Sequence, residues 1–251
     1  MPMLEPLELS LSLSDVRLEV PLRGVPAWVR SQGFGWVALN AAAPGFRPRE
    51  LDGSARRDLA GTLSRAEVRV SGVDLWIPPQ HFVEAGQVDR AVGAVAAAIE
   101  LLGDLLRLRV TAGSPVVSLV LPERPAEGVV ESLSAAAETS GVLVVDHAPN
   151  APTETRWGAD PATLLMGGSD PAAAVSRRGA RVLSARLSDA NAMGRCEVGS
   201  GRLDVLEYAM AVSTAGMRGP VVLDLRGLTE VRRGIERAQR AWGDATRLPR
   251  V

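Results

Sequence analysis

Short apolar runs rich in β-branched residues alternate along the chain with longer stretches rich in alanine and leucine. Such alternation is typical of βα units, in which helices connect the strands of a mainly parallel sheet. It predicts eight strands, near Leu7–Leu13, Gly35–Leu39, Glu67–Leu75, Val116–Leu121, Val142–Val145, Thr155–Gly158, Arg181–Leu187 and Val221–Leu225. It predicts helices near Val25–Gln32, Pro48–Ser64, Gln87–Leu108, Ala126–Thr139, Asp170–Arg178, Asp204–Ala215 and Glu230–Trp242.

The helix predicted near Gln87–Leu108 has the clearest periodicity. Its apolar side chains recur at spacings of three and four, which gives one apolar face. Prolines directly after Asp160 and Asp170 are typical of first helical turns. Because no solenoid-length repeat and no long linker interrupts the pattern, we expect one domain over residues 1–251. The expected fold class is α/β, a (β/α)8 TIM barrel.

Composition narrows the partners and the compartment. The chain has 251 residues, 46% of them hydrophobic, which suits a single barrel with a large core. Its net charge of −1 supplies no basic field, so we expect no nucleic-acid partner. No apolar run approaches the ~18 residues of a membrane span, and Met1–Ser14 lacks the pattern of a signal peptide. With a single cysteine, Cys196, we expect a cytoplasmic protein.

The inventory of reactive side chains is small. All 28 basic residues are arginine, which excludes a Schiff-base lysine and a Walker-type phosphate loop. The histidines are His81 and His147, and the single tyrosine is Tyr208. General acid–base chemistry must therefore depend on these groups or on carboxylates.

Polar residues collect at the carboxyl ends of the predicted strands, where TIM barrels carry their active sites. They are Asn40, Asp74, Trp76, Asp146, His147, Asp160, Arg186, Asp189, Asp224 and Arg226. Aspartates from several strands can converge on Mg²⁺ or Mn²⁺, and a nearby imidazole favours Mn²⁺ or Zn²⁺.

Structural roles are open for the same residues. Asp160 before Pro161 can be a plain helix cap. Asp146 and His147 cannot both point into the barrel centre, because side chains alternate along a strand. Asp224 lies in an apolar run two residues from Arg226, so the two can form a structural ion pair.

The proline-rich segment 76–82 resembles a rigid loop over a pocket mouth. Trp76 offers an aromatic face on which a sugar ring can stack. Trp76 and Phe82 can equally be core residues, and His81 can be a surface or capping residue.

Several segments together resemble the sugar phosphate isomerase/epimerase family, the xylose isomerase-like TIM barrels. The likeness extends from about Gly33 to Leu228 and is carried by the order and spacing of five segments. They are Gly141–His147, the Gly-Ala-Asp-Pro run at 158–161, the Ala-Arg-Leu-Ser-Asp run at 185–189, the Val-Gly-Ser-Gly-Arg-Leu-Asp run at 198–204, and Gly219–Leu225.

The resemblance implies a divalent metal site and a sugar or sugar phosphate substrate. Asp146, Asp160 and Asp224 fall at three of the family's ligand positions, and Arg186 stands where the family has a histidine. His147 is a candidate fourth ligand. Asp146 and Asp224 would move protons through an enediolate intermediate.

Substrate binding is assigned to five residues: Arg186, Arg226, Trp76, His81 and Asn40. The expected function is a sugar (phosphate) isomerase or epimerase, with Mn²⁺, Mg²⁺ or Zn²⁺ as the possible metal. Because arginine cannot ligate a cation, the alternative is a barrel that has lost the metal site and serves as a binding or accessory protein. A related abasic-site endonuclease would need a histidine-rich metal cluster, which two histidines cannot supply.

Overall fold

Eight parallel strands close into a barrel in the computed structural model, which describes residues 7–17, 20–152 and 155–247. The barrel strands are β1 (Leu9–Ser12), β2 (Trp36–Asn40), β3 (Arg69–Asp74), β4 (Thr111–Leu119), β5 (Leu143–Asp146), β6 (Trp157–Ala159), β7 (Val182–Leu187) and β10 (Val221–Leu223). β1 pairs with both β2 and β10, which closes the barrel. The predicted (β/α)8 barrel and its eight strands are confirmed.

Helices surround the barrel. They are α1 (Val25–Ser31), α2 (Gly53–Arg65), α3 (Val88–Arg107), α4 (Val129–Ser140), α5 (Pro161–Met166), α6 (Pro171–Arg178), α7 (Val205–Thr214) and α8 (Val231–Thr246). All seven predicted helical segments are present, although Pro48–Glu50 is a separate 3₁₀ turn before α2. The short helix α5 lay outside the predicted set.

The apolar face of α3 shows how the helices attach. Val95, Ile99 and Leu102 occupy the predicted face and are fully buried in the layer between helices and strands. Burying each such side chain contributes about 1.5–3 kcal/mol relative to leaving it exposed. This layer therefore helps to hold α3 against the barrel.

A two-stranded antiparallel hairpin follows β7 at the carboxyl end of the barrel. It consists of β8 (Asp189–Asn191) and β9 (Gly194–Cys196). The buried Asp189 carboxylate anchors it, accepting backbone N–H bonds from Gly199 at 3.0 Å, Gly201 at 2.9 Å and Leu203 at 3.0 Å. This hairpin was not predicted, and it brings Arg195 over the barrel end.

In the described ranges, no helix has the length and apolar character needed to cross a membrane. Two expectations include positions outside those ranges: that residues 1–251 form one domain, and that Met1–Ser14 is not a signal peptide. Both stay predictions.

Candidate functional site

Three aspartates and three arginines meet at the carboxyl end of the barrel. The aspartates are Asp74, Asp160 and Asp224, and the arginines are Arg186, Arg195 and Arg226. We call these six residues the arginine–aspartate cluster. Its formal charge is zero, because each carboxylate is matched by one guanidinium.

Arg186 and Asp74 form the innermost pair of the cluster. Arg186 extends from β7 and bonds both carboxylate oxygens of Asp74, with Nη1 at 3.0 Å from Oδ2. Ser12 and Ser14 also donate to Asp74 Oδ2, at 2.6 and 3.0 Å. Burial alone would raise the pKa of Asp74, but the charge of Arg186 and these hydrogen bonds outweigh it and lower that pKa. The pair is therefore ionised and almost inaccessible to solvent.

Asp160 and Asp224 share two arginines. Arg226 donates from Nη2 to Asp160 at 3.0 Å and from Nε to both oxygens of Asp224 at 2.9 Å. Arg195, from the hairpin, bonds Asp160 and reaches Asp224 at 3.3 Å. The pKa of Asp224 is lowered far below its ordinary value, because the charges of Arg226 and Arg195 outweigh the effect of burial. Asp224 is thus held as an anion, and both carboxylates lie between fixed guanidinium groups.

Asp160 also caps a helix. It precedes Pro161, accepts from the Thr163 backbone N–H at 3.4 Å, and is bonded by the Ser188 hydroxyl at 2.9 Å. The capping role and the site role that the sequence left open for Asp160 are therefore both present. The ion pair considered for Asp224 and Arg226 is present as well.

Trp76 covers the cluster. The Arg226 guanidinium lies 3.8 Å and the Arg186 guanidinium 4.9 Å from the centre of its ring. Its indole N–H donates to the Ser14 hydroxyl at 3.1 Å, which in turn donates to Asp74. The tryptophan is fixed by this chain of hydrogen bonds and by cation–π contact.

Adjacent Asp146 and His147, at the end of β5, contact different groups. The His147 ring meets Trp76 edge-on at 5.6 Å between ring centroids, and its Nε2 lies 3.2 Å from the Ser118 hydroxyl. Gly158 makes room for the ring, because a Cβ there would overlap the imidazole. Burial and the charge of Arg186 lower the pKa of His147 well below its ordinary value. The imidazole is consequently neutral at physiological pH.

Asp146 does not join Asp224. Its Oδ1 accepts backbone N–H bonds from Leu121 at 3.0 Å and Ala148 at 2.8 Å. Burial raises the pKa of this carboxyl. No contact between Asp146 and Asp224 is found among the described residues, and the pairing for proton transfer that the resemblance implies stays a prediction.

Asn40 and His81 occupy the periphery. The Asn40 side chain accepts from the backbone N–H of Ala42 at 2.9 Å, a local turn. His81 is half-buried in the 3₁₀ turn Pro79–Phe82, whose Phe82 is a core residue. Neither side chain contributes to the described contacts of the cluster, and their assignment to substrate binding stays a prediction.

The donor set does not fit a divalent metal. Asp160 and Asp224 offer carboxylate oxygens, but guanidinium N–H groups occupy the space between them. Arg186 brings a third positive charge to the position of the family histidine, and the Asp146 oxygen bonds the backbone. Throughout the part of the chain that is described, no three Asp, Glu, His or Cys side chains are grouped so that they could hold an ion.

Arg195 and Asp74 complete the cluster: Asp74 was placed at a strand end without a site role, and Arg195 was not singled out. Asp74 carried a usable signal, since it ends an apolar strand at the correct face. Arg195 carried none, because it belongs to a hairpin outside the regular βα pattern.

Solved structures identify the form of the barrel. A xylose isomerase domain protein from Planctomyces limnophilus superposes with a TM-score of 0.70 at 15% identity, covering 96% of each chain. The fold is that of the xylose isomerase-like TIM barrels. An L-ribulose 3-epimerase gives a TM-score of 0.71 at 14% identity, covering 96% of this chain and 95% of its own. The IolI protein, solved with a bound zinc atom, gives 0.67 at 14% identity, covering 95% and 98%.

Sequence comparisons add nothing to this assignment. No family model matches the chain, and no curated protein matches it. The xylose isomerase-like barrel predicted from the order of short segments is confirmed as a fold.

Proposed function

We propose that this protein is a metal-independent barrel that binds a sugar or sugar-derived metabolite at the carboxyl end of its strands. The observation that carries the proposal is the placement of Arg195 and Arg226 between Asp160 and Asp224. The guanidinium groups supply the positive charge that a divalent cation would supply in a metal-dependent relative. They hold the two carboxylates together without a coordination sphere.

Exposure decides which arginines can reach a ligand. The side chains of Arg195 and Arg226 are 16% and 17% exposed, whereas Arg186 is 0% exposed. Among the described residues, the hydrogen bonds of Arg226 use Nε and Nη2 and those of Arg195 use Nη1 and Nη2. Arg226 Nη1 and Arg195 Nε are then donors for ligand oxygens. Sugar hydroxyl and carbonyl oxygens are suitable acceptors for them.

A second candidate is a sugar isomerase or epimerase that works by carboxylate proton transfer. The position of Asp160, Asp224 and His147 at one end of the barrel favours it. The lowered pKa of Asp224 opposes it, since a carboxylate stabilised by two arginines is a weak base toward a carbon acid.

Metal binding tests the proposal directly. Wild-type protein purified without chelator should contain no stoichiometric Mn, Zn or Mg, and millimolar Mn²⁺ should leave its Tm unchanged. The double variant Arg195→Ala/Arg226→Ala frees two carboxylates, so Mn²⁺ should raise the Tm of that variant. The matched control is Arg23→Ala, which breaks an exposed ion pair with Asp58. Stoichiometric metal in the wild-type protein would overturn metal independence.

Solvent exchange separates binding from catalysis. The protein is incubated with a panel of aldoses and ketoses in D₂O, and deuterium at the carbons next to the carbonyl is followed by NMR. If the wild-type protein binds a sugar without deuterium exchange, and Arg195→Ala/Arg226→Ala no longer binds it, the result supports the proposed binding function. Exchange that disappears in Asp224→Asn would instead establish the isomerase or epimerase.

A further inference from the structure

Several interior positions of the barrel carry small side chains in the half toward the amino ends of the strands. TIM-barrel interiors are ordinarily filled by layers of bulky branched side chains. Here Ala38, Ser71, Gly72 and Ser184 line part of that half of the interior, beside Val116, Val182 and Val222. The space that larger residues would fill forms a cavity of about 430 Å³.

The cavity opens at the end opposite to the arginine–aspartate cluster. Its mouth is formed by residues at or before the amino ends of the strands. Among them are Gly113 and Ser114 in the first half of β4, Ala180 before β7, and the loop 215–220 before β10. Ser114 and Arg218 are exposed at this rim. A small molecule can therefore enter without passing the arginines above.

The inner end of the cavity is polar. Along β7 the lining runs from Val182 through Ser184 to Arg186, which pairs with Asp74 from β3. Arg186 uses both terminal nitrogens on Asp74, but its Nε has no hydrogen-bond partner among the described residues. Because this pair is almost fully buried, it closes the inner end of the cavity, and the serine hydroxyls of the lining are the groups that a ligand can reach.

We propose that this cavity is a second ligand site, for an uncharged polyol of about monosaccharide size. The volume lies within the ~300–1,000 Å³ typical of small-molecule sites. The charges of Arg186 and Asp74 cancel, which disfavours an ionic guest. Serine hydroxyls such as those of Ser184 and Ser114 both donate and accept, and polyol hydroxyls do the same.

Ligand-observed NMR on the full chain tests the site, with glycerol, erythritol, xylitol and sorbitol as probes. We expect saturation transfer to at least one polyol, with an affinity measured by titration. Ser114→Trp places an indole at the mouth and should weaken binding at least 10-fold. Ser184→Ala removes one hydrogen-bonding group and should weaken it about 2- to 10-fold. The matched control is Ser31→Trp, at an exposed serine of α1, which should bind as the wild type does.

Three outcomes would overturn the proposal. Absence of saturation transfer to all four polyols would mean that the cavity holds water only. Binding unchanged by both Ser114→Trp and Ser184→Ala would place the polyol elsewhere. Binding lost in Arg195→Ala/Arg226→Ala but kept in Ser114→Trp would place it at the arginine–aspartate cluster, which concerns the function proposed above and not this cavity.

Discussion

Removing the Asp74 carboxylate should destabilise the protein more than most single substitutions. Asp74→Ala takes away an acceptor that Ser12, Ser14 and Arg186 share, and it leaves the Arg186 guanidinium buried without a counter-charge. Breaking a buried ion pair from one side costs about 3–5 kcal/mol. At about 2–4 °C per kcal/mol for a domain of this size, the Tm should fall by about 6–20 °C.

The assay compares Asp74→Ala, Arg186→Met and the double variant Asp74→Leu/Arg186→Met, each followed by circular dichroism during urea and thermal unfolding. The double variant replaces the pair by apolar side chains and should recover most of the stability lost in Asp74→Ala, because no charge is then buried alone. A loss below about 1 kcal/mol in Asp74→Ala, or a double variant no more stable than Asp74→Ala, would refute this account of the pair.

Two further predictions concern acid stability and packing at the same end of the barrel. Because the folded-state pKa of Asp224 is lowered, its contribution to stability is present above the unfolded value of about 3.9 and is lost as the pH falls toward the folded value. The Tm of the wild-type protein should therefore drop steeply between about pH 5 and pH 3, and that of Asp224→Asn less steeply; parallel curves would contradict it. Gly158→Ala places a Cβ against the His147 ring and should lower the free energy of unfolding by about 1–3 kcal/mol. Gly93→Ala, in open space within α3, is the matched control and should stabilise by about 0.5–1 kcal/mol; equal effects of the two alanines would show that His147 adapts.

The barrel was predictable because its strands leave a strong sequence signal. Parallel strands buried on both sides form continuous apolar runs, and the connecting helices carry their own periodicity. The boundaries were less certain where backbone irregularities intervene. β4 begins at Thr111, five residues before the predicted start, and the ladder between β3 and β4 shifts register near Gly72.

The site was only partly predictable. The two-residue spacing correctly paired Asp224 with Arg226, and the adjacent Asp146 and His147 have separate hydrogen-bond partners. The bonds from Arg195 to Asp160 join residues 35 positions apart through an irregular hairpin. No local periodicity encodes such a contact. The cavity at the other end was not predictable for a related reason. Small residues leave an empty space in the interior only when the strands close into a barrel, and the sequence pattern does not give that arrangement.

In the function proposed above, guanidinium groups take the place of a cation, which would change what the carboxyl end of this barrel can do. A divalent ion has coordination positions that a substrate oxygen can enter, and it polarises that oxygen. A guanidinium has only fixed N–H donors, and in Arg195 and Arg226 most of these already hold Asp160 and Asp224. A ligand therefore meets a neutral, preorganised set of donors. Such a set favours binding of hydroxyl and carbonyl oxygens over their chemical activation. It disfavours anionic groups, because an anion would have to displace an aspartate from its arginines.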